Sequence, residues 1–590
     1  MVDAILEGMV GYRLGRNGFA PPISASVQVD AAGAFHAHSS LHVYPVNRGG
    51  WLVADARLDN RDEIIEKLPI PAAQTKNMVD TALLAQAYDV WGTDVGSYLL
   101  GSWSFAAWKP QEKQLILARD ALGFNSLYYH LSPGGITFAD RMPSLLAHAD
   151  TRRHLNMAAL AQLSYGTKRD TSSFYKNIHK VPPASLLIFN EGTTPRRHRY
   201  WDPGEVPDIR LRSDDEYREA FLETYRTAVA SKLHGEGPFG ITLSGGLDSG
   251  STAALAVPML AARGQRLKAF TWTPGGETPD VKNDRTPDEW ANVQRLAAFT
   301  GGIDVTRVSG FPTSPLKALR TMLDITEEPG NALAGWSWYY GVLQQAGQSG
   351  IKTLLTGEAG NFTVSLDHME RRRSFWRRHY RRMRERIKAH RRGDQAHARM
   401  LIRPDFAQRI LEASPPADPE LHDKWKTAPQ PMRSAYNIMQ SGGLTVSREI
   451  AGHFGVDLQI PAMDRRLFEF CYGIPPEQYA RGGEGRLLIR HAFAGLMPHE
   501  QLWDKKRGLL AGNMNQILSG SRDEIMEIIE NARSSPIASE ALDLDWIERS
   551  ANTICSNGES RGLLNGKIVL RGLTYAMFLE RFSDTDTGAE

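Results

Sequence analysis

Six consecutive residues near the middle of the chain have the composition of a phosphate-binding loop. Ser244-Gly-Gly-Leu-Asp-Ser249 follows an apolar strand pattern, Phe239–Leu243, and precedes a helical pattern, Ser251–Arg263. Glycines let backbone amides approach phosphate oxygens, serine hydroxyls donate hydrogen bonds, and a helix N-terminus favours negative charge. Asp248 adds a carboxylate suited to Mg²⁺ beside a nucleotide. The strand, turn and helix context favours an ATP and magnesium site over a glycine-rich turn without a catalytic role.

The elements around this loop alternate between short apolar runs and longer helical segments. The candidate strands of this region are Phe239–Leu243, Lys268–Trp272, Asp304–Val308 and Lys352–Thr356. This alternation predicts a parallel sheet with helices on both faces. The first 200 residues read instead as short strands separated by glycine and proline turns, and a polar segment, Arg196–Asp215, separates the two patterns as a predicted linker.

The composition indicates an ordinary folded protein with more than one hydrophobic core. The chain has 590 residues, 42% of them hydrophobic and 23% charged, with a net charge of +2. Its two cysteines, Cys471 and Cys555, exclude a disulfide framework. No apolar run is long enough to span a bilayer, so we expect a cytoplasmic protein without a membrane partner. Nucleic acid is not expected as a partner either.

Several motifs in the first 200 residues resemble the glutaminase domain of asparagine synthetases. They are Ala56–Glu63, Leu100–Trp108, Ala118–Gly123 and Leu127–Tyr129. The resemblance implies a fold that is α/β and α+β. Residues 1–205 would form a degenerate, Ntn-amidotransferase-like αββα sandwich. Residues 210–582 would form a parallel-sheet ATP-pyrophosphatase domain, similar to adenine nucleotide α-hydrolases, with a helical extension, and residues 583–590 a flexible tail.

The loop and a second segment, Leu354–Ser365, are similar to the two signatures of the asparagine synthetase family. The resemblance implies that a carboxylate is activated as an acyl-adenylate and then attacked by an amine. It implies Glu358 as the base and Arg486 as a charge-stabilising group, with Asp248 and Asn361 on magnesium. The residues that it implies for ATP and pyrophosphate are Leu243, Ser244, Gly245, Gly246, Asp248, Ser249, Thr271, Gly357 and Lys506.

The glutaminase chemistry of that family is missing from this sequence. The reaction needs a thiol on the first mature residue, whereas position 2 is Val2 and neither cysteine lies within the first 470 residues. Where the family's glutamine-holding loop reads NGEIYN, this chain has Asp55–Asn60, so Arg57 replaces the acid of the loop. The amine is therefore expected to come from a molecule other than glutamine.

Family members with an inactive amidotransferase domain include β-lactam synthetases, carbapenam synthetases and lasso-peptide cyclases. Arg486 stands where asparagine synthetase has lysine, and together with Asp504–Leu509 it is similar to the lasso cyclases. We therefore expect a macrolactam cyclase that joins an Asp or Glu side chain of a precursor peptide to the N-terminal amine of that peptide. The resemblance implies a leader peptidase and a leader-binding protein as partners. A β-lactam-type synthetase and a catalytically inactive peptide- or RNA-binding scaffold remain as alternatives.

A dense basic run at Arg371–Arg392 has two interpretations. One is an electrostatic site for a peptide leader, an acidic partner or RNA, and the other is a solvated amphipathic helix. The sequence does not favour either.

Overall fold

The computed structural model describes most of the chain as two compact units. The described residues are 6–9, 26–29, 35–37, 43–75, 78–132, 135–147, 153–163, 172–190, 194–235, 237–275, 285–286, 288–330, 333–366, 401–413, 436, 439, 442–509, 511, 513–557 and 564–582. The basic run Arg371–Arg392 and the predicted tail lie outside them. The first unit comprises Met1–His154, Arg169–Val206 and Ala417–Glu449. The second comprises Leu155–Lys168, Pro207–Pro416 and Ile450–Glu590.

The first unit contains two six-stranded sheets. Its strands, numbered in chain order, are β1 (Leu6–Met9), β2 (Ser26–Val29), β3 (Phe35–Ala37), β4 (Tyr44–Val46), β5 (Gly50–Leu58), β6 (Gly101–Lys109), β7 (Gln114–Arg119), β8 (Tyr128–Ser132), β9 (Gly135–Ala139), β10 (Ile178–Lys180), β11 (Ser185–Asn190) and β12 (Arg196–Arg199). Its helices are α1 (Arg61–Lys67), α2 (Ala72–Thr75), α3 (Asp80–Trp91), α4 (Val95–Tyr98) and α5 (Met142–Leu146). The strand orders are β10-β8-β9-β1-β2-β3 and β12-β11-β7-β6-β5-β4. All pairings are antiparallel except that of β1 with β9.

The alternation of side chains along β5 shows how the layers of the first unit stack. Leu52 packs in a cluster with residues of α1 and α3, whereas the next residue, Val53, packs in a cluster with Phe138 of the other sheet. Successive side chains of a strand point to opposite faces, so both faces of this sheet are covered. Helix α5 packs on β8 and β9. The result is the αββα sandwich that the sequence predicts.

The second unit combines a parallel sheet with many helices. Its strands are β13 (Phe239–Thr242), β14 (Leu267–Thr273), β15 (Arg285–Thr286), β16 (Ile303–Ser309), β17 (Thr353–Thr356), β18 (Asp457–Gln459), β19 (Ala480–Arg481), β20 (Glu484–Gly485) and β21 (Arg507–Gly508). Its helices include α6 (Met157–Gln162), α7 (Asp214–Lys232), α8 (Leu247–Ala261), α9 (Trp290–Thr300), α10 (Pro315–Thr326), α11 (Leu333–Gln348) and α12 (Pro404–Ala413). Helix α13 (Gly443–His453) begins in the first unit and ends in the second. The remaining helices are α14 (Arg465–Gly473), α15 (Leu487–Ala492), α16 (His499–Trp503), α17 (Met514–Ser519), α18 (Arg522–Ser534), α19 (Pro536–Ala541), α20 (Leu544–Asn557) and α21 (Leu564–Leu579).

The main sheet of the second unit has the strand order β16-β14-β13-β17-β18, and every pairing in it is parallel. The chain moves outward from β13 to β14 and β16, and then returns to the other side of β13 as β17. In sheets of this kind ligands bind at the carboxyl ends of the strands where the order reverses. The register Ile241↔Leu355 places the ends of β13 and β17 at one edge. The loops that follow these two strands are therefore neighbours at the expected binding position.

The four strands that the sequence predicts for this sheet are confirmed as β13, β14, β16 and β17. The predicted linker is more structured than expected, because its first residues form β12, which pairs with β11. The other difference is that residues 155–163 cluster with the second unit although they precede the linker. Among the described helices, none combines the length and the apolar character needed to cross a bilayer.

Candidate active site

The loop between β13 and α8 is held in shape by its two serines. The Ser249 hydroxyl accepts the backbone amide of Ser244 at 3.0 Å, and the two serine hydroxyls lie 3.0 Å apart. Leu243, which precedes them, donates its amide to the carbonyl of Phe270 on the neighbouring strand at 3.0 Å. The serines thus close the loop on itself and bring it to the N-terminus of α8.

The backbone amides of the two glycines are already engaged, which differs from the sequence prediction that both would face phosphate. The Gly246 amide donates to the Ser244 hydroxyl at 3.2 Å. The Gly245 amide faces the carboxylate of Glu289 and opposes the rise in the pKa of that group. Gly246 is the N-cap residue of α8, and within the described structure no side chain caps that helix end. The first-turn amides of α8 are therefore the groups that remain for an anion.

The segment after β17 lies directly against the beginning of α8. A Cβ atom on Gly357 would stand 2.3 Å from the backbone nitrogen of Ser249. A Cβ atom on Gly360 would stand 2.6 Å from Cγ of Asp248. Real Cβ atoms do not approach other atoms so closely, so glycine is required at both positions. The two predicted signatures therefore meet, and Asp248 lies beside the turn that carries Glu358 and Asn361.

Glu358 sits in a polar environment formed by the end of the sheet. Its amide donates to the hydroxyl of Thr356 at 3.2 Å, and that hydroxyl also accepts a hydrogen bond from Thr242 at 2.9 Å. Burial and the charge of Glu358 raise the pKa of Tyr339 above its usual range, so the phenol stays protonated beside the carboxylate. Ala359, the next residue, has a left-handed φ of 62°. Non-glycine residues with such a backbone cluster at functional sites.

The residues beside Asp248 fit a magnesium ion that travels with a nucleotide. Asp248 offers a carboxylate with one buried oxygen, and Asn361 follows Gly360 in a 3₁₀ turn, Gly360–Phe362. Among the described residues, no group of three or more His, Cys, Asp or Glu could hold a metal alone. A carboxylate and an amide carbonyl suit Mg²⁺, which takes its other ligands from phosphates and water.

Two further predicted residues flank the loop on the side of β14. Thr271 on β14 is 1% exposed, and its hydroxyl has no hydrogen-bond partner in the described part of the chain. Lys506 is exposed and donates its amide to the Asp504 carboxylate at 2.8 Å. Asn292 lies between the segment that contains Lys506 and the loop. Its side-chain amide contacts Asp504 at 3.5 Å, and its side chain packs on Gly245.

Arg486 stands immediately before α15, outside both loops. Its φ of 58° is left-handed, and its carbonyl accepts the amide of Arg490 as the first bond of the helix. Leu488 and Ile489, which follow it, pack in the same core cluster as Leu243. A short hairpin of β19 and β20 leads into Arg486. The arginine is thus fixed to the same unit as the loop by an element with an unusual backbone.

Sequence inspection missed three side chains that shape the site. Gln501 of α16 donates to the Gly245 carbonyl at 3.1 Å, the Glu289 carboxylate faces the Gly245 amide, and the Tyr225 hydroxyl contacts the hydroxyl of Thr252 in α8 at 2.8 Å. Each belongs to a segment that looks like an ordinary helix in the sequence. No local pattern marks such residues, because their roles arise from contacts across long sequence separations.

A parallel sheet with this loop at its strand ends, beside a second loop that bears Glu358, defines an ATP-pyrophosphatase domain. Residues 220–573 match the model of the asparagine synthase family, and residues 43–201 match that of the glutamine amidotransferase domain. Because the first match covers more than half of the chain, the chain belongs to the asparagine synthase family. Members of this family use ATP to form amides and release AMP.

Several curated relatives are similar to parts of this chain. Amidase chry2 of Gibberella zeae is 29% identical over 289 residues, which are 48% of this chain and 42% of that protein. Amidase chyE of Penicillium rubens is 26% identical over 288 residues, with the same shares of the two chains. Asparagine synthetase [glutamine-hydrolyzing] 3 of Bacillus subtilis is 25% identical over 214 residues, or 35% of this chain and 33% of that protein. The chain thus spans less than half the length of these relatives.

Proposed function

We propose that this protein is an ATP-dependent amide synthetase that activates a carboxylate and closes a peptide macrolactam, as in lasso-peptide biosynthesis. A carboxylate oxygen of an Asp or Glu side chain attacks the α-phosphorus of ATP, the bond to the β-phosphate breaks, and pyrophosphate leaves. The N-terminal amine of the same peptide then attacks the acyl carbon. AMP leaves, and the amine proton passes to a base.

The contact between the two loops is the observation that carries this proposal. Gly360 places its backbone against the Asp248 carboxylate, so the phosphate end of the site and Glu358 are built on adjoining residues. Glu358 can accept the proton of an attacking amine, provided that its carboxylate is ionised. The first turn of α8 holds the leaving pyrophosphate. The guanidinium group of Arg486 is planar and always positively charged, so it can stabilise negative charge but cannot act as a base.

Magnesium fits the pair Asp248 and Asn361 and would be carried in with ATP. When bound, it neutralises charge on the phosphate groups. The protein's part is to orient the ion's ligands, which Gly360 does by leaving no space between its backbone and the Asp248 carboxylate.

The state of the amidotransferase-like domain supports a nitrogen donor other than glutamine. The region matched to that domain, residues 43–201, contains no cysteine. At the position of the glutamine-holding loop, the Asp55 carboxylate accepts a hydrogen bond from the side chain of Asn125 at 2.9 Å. Arg448 in turn donates to the side-chain amide oxygen, Oδ1, of Asn125. Hydrogen-bonded side chains therefore occupy the place of the glutamine-holding loop, and Arg57 replaces the acid of that loop.

A peptide substrate agrees with the position of Arg486, where the lasso cyclases resemble this chain. The proposal includes a precursor peptide as substrate, a peptidase that removes its leader, and a protein that binds the leader. The name amidase that two relatives carry raises amide hydrolysis as a second activity to be tested in the same assay.

The decisive experiment is mass spectrometry of the purified protein with Mg·ATP and a candidate core peptide, with its processing protease added. We expect the peptide to lose one water while AMP, and not ADP, accumulates. A matched peptide with Asn or Gln at the acceptor position should not react. AMP formation with only a small β-amino acid would assign a β-lactam-type synthetase instead. Peptide cleavage without nucleotide use would indicate an amidase, and absence of AMP with every carboxylate would refute the proposal.

A further inference from the structure

The backbone amide and the backbone carbonyl of Gly245 each face a side chain from a distant part of the second unit. Gln501 donates to the carbonyl at 3.1 Å, whereas the amide faces the carboxylate of Glu289 and opposes the rise in the pKa of that group. A Cβ atom on Gly245 would also stand 3.1 Å from Cβ of Glu289. Neither contact involves a serine of the loop. The glycine is therefore positioned by α16 and by the start of α9 rather than by its own segment.

The carboxyl group of Glu289 faces the loop and does not cap its own helix. It is the N-cap residue of α9, yet its side chain makes no capping hydrogen bond there. The adjacent Asp288 takes that role and accepts the Trp290 amide at 2.8 Å. On the opposite side, a Cβ atom on Gly508 would stand 2.3 Å from Cδ of Glu289. The carboxyl group is thus enclosed between Gly245 and Gly508 and has little room to move.

The charged surroundings of Glu289 favour its protonated form. Burial raises its pKa to about 7, and the neighbouring carboxylates Asp288 and Asp504 contribute to the shift, while the Gly245 amide opposes it. Arg307 pairs with Asp288 at 3.1 Å and partly offsets that charge. A carboxyl group that keeps its proton in about half of the molecules at pH 7 repels a nearby polyphosphate less than a fully ionised one does.

We propose that Glu289 is a positioning residue for pyrophosphate binding, which holds the Gly245 peptide in a clamp completed by Gln501. The clamp fixes the turn that leads into α8, so that the first-turn amides of this helix face the phosphates. Because Glu289 also packs against Gly508, the clamp connects the loop to the segment Asp504–Gly508, which contains Lys506. This inference rests on the proposed function only in that the loop must bind the phosphates of ATP.

The test is calorimetric binding of the magnesium complex of α,β-methylene-ATP, which cannot be cleaved between its α and β phosphates. We expect Glu289→Ala and Gln501→Ala to weaken binding about tenfold or more. Glu289→Gln keeps an acceptor for the Gly245 amide, so at pH 6 its affinity should stay within about twofold of the wild type. Glu500→Ala is the matched control, because this carboxylate is exposed and neighbours Gln501 in α16.

Measurement at pH 6 and pH 8 distinguishes positioning from general damage. The ratio of the Glu289→Gln and wild-type dissociation constants cancels the titration of the ligand, which is common to both measurements. We expect this ratio to fall at pH 8, where wild-type Glu289 is ionised and its glutamine replacement is not.

The binding measurements can contradict the clamp and the proposed function separately. Wild-type affinity in Glu289→Ala, with an unchanged melting temperature, would overturn the clamp. A glutamine variant as weak as the alanine variant would overturn it too, because the acceptor alone would not suffice. Failure of the wild type to bind the analogue would instead refute the proposed function.

Discussion

The backbone of Gly360 lies against the carboxylate of Asp248, so closely that a Cβ atom at position 360 would be 2.6 Å from both Cβ and Cγ of the aspartate. The two residues belong to the loops that follow β13 and β17, which also meet where Gly357 lies against the backbone of Ser249. Their contact sets the distance between the groups that bind phosphate and the carboxylate of Glu358. Predictions about catalysis follow from this contact.

Gly360→Ala should displace Asp248 and reduce turnover about 100-fold, because a misplacement of about 1 Å at a reacting centre has that effect. Steady-state AMP release would measure it. Gly335→Ala in α11 is the control, since a Cβ atom there meets no atom within 4 Å. Equal losses in the two variants would contradict the geometric argument.

Asp248→Ala should abolish AMP formation, because the substitution removes the carboxylate beside the phosphates. Chromatographic detection of AMP would check this. Asp215→Ala is a suitable control, as that exposed aspartate is paired with Arg218 on the surface of α7. Normal AMP formation by the Asp248 variant would exclude the assigned role.

Glu358→Gln should bind ATP normally but form no product, because the amide cannot take a proton from the attacking amine. Calorimetry with the methylene analogue and mass spectrometry of the peptide would separate binding from chemistry. A variant that closes the ring at the wild-type rate would show that another group is the base.

Glu289→Gln should make protein stability less dependent on pH. The folded-state pKa is raised from 4.5 to about 7, so between these values the folded protein keeps a proton that the unfolded chain has lost. Wild-type stability therefore falls as pH rises through this window, by up to about 3 kcal/mol from this group. We expect the glutamine variant to gain stability relative to the wild type between pH 5 and pH 8 in urea unfolding. A constant difference would argue against the titration.

Arg119→Leu should destabilise the first unit by about 3 to 5 kcal/mol. The guanidinium group is buried and donates to the carbonyls of Val181 at 3.0 Å and Gly123 at 2.7 Å, and to the Thr445 hydroxyl at 3.0 Å. Leucine would leave these acceptors without that donor. Denaturant unfolding would measure the loss, with the exposed Arg196→Leu as control. A change below about 0.5 kcal/mol, as at an ordinary surface position, would contradict the prediction.

The sequence predicts the sheet well because its strands are short apolar runs with a glycine loop at a recognisable position. The sequence predicts hydroxyl groups at Ser244 and Ser249 but not the contact between them, at 3.0 Å, that closes the loop. The surroundings of the Gly245 amide could not be predicted, because they depend on Glu289, which is 44 positions away from Gly245 in the sequence. Hydrophobic periodicity reports which face of a helix is buried and not which polar group its first residue will meet.

Gln501 lies 256 positions after the glycine whose carbonyl it holds. On a ribosome that adds roughly 5 to 20 residues per second, Gln501 is synthesised about 13 to 50 s after Gly245. The strands that flank the loop in the sheet end by residue 356, so they are synthesised before Gln501. The nascent chain therefore passes through a stage in which the nucleotide loop has been synthesised but Gln501 has not. We expect ATP binding to become possible only late in translation.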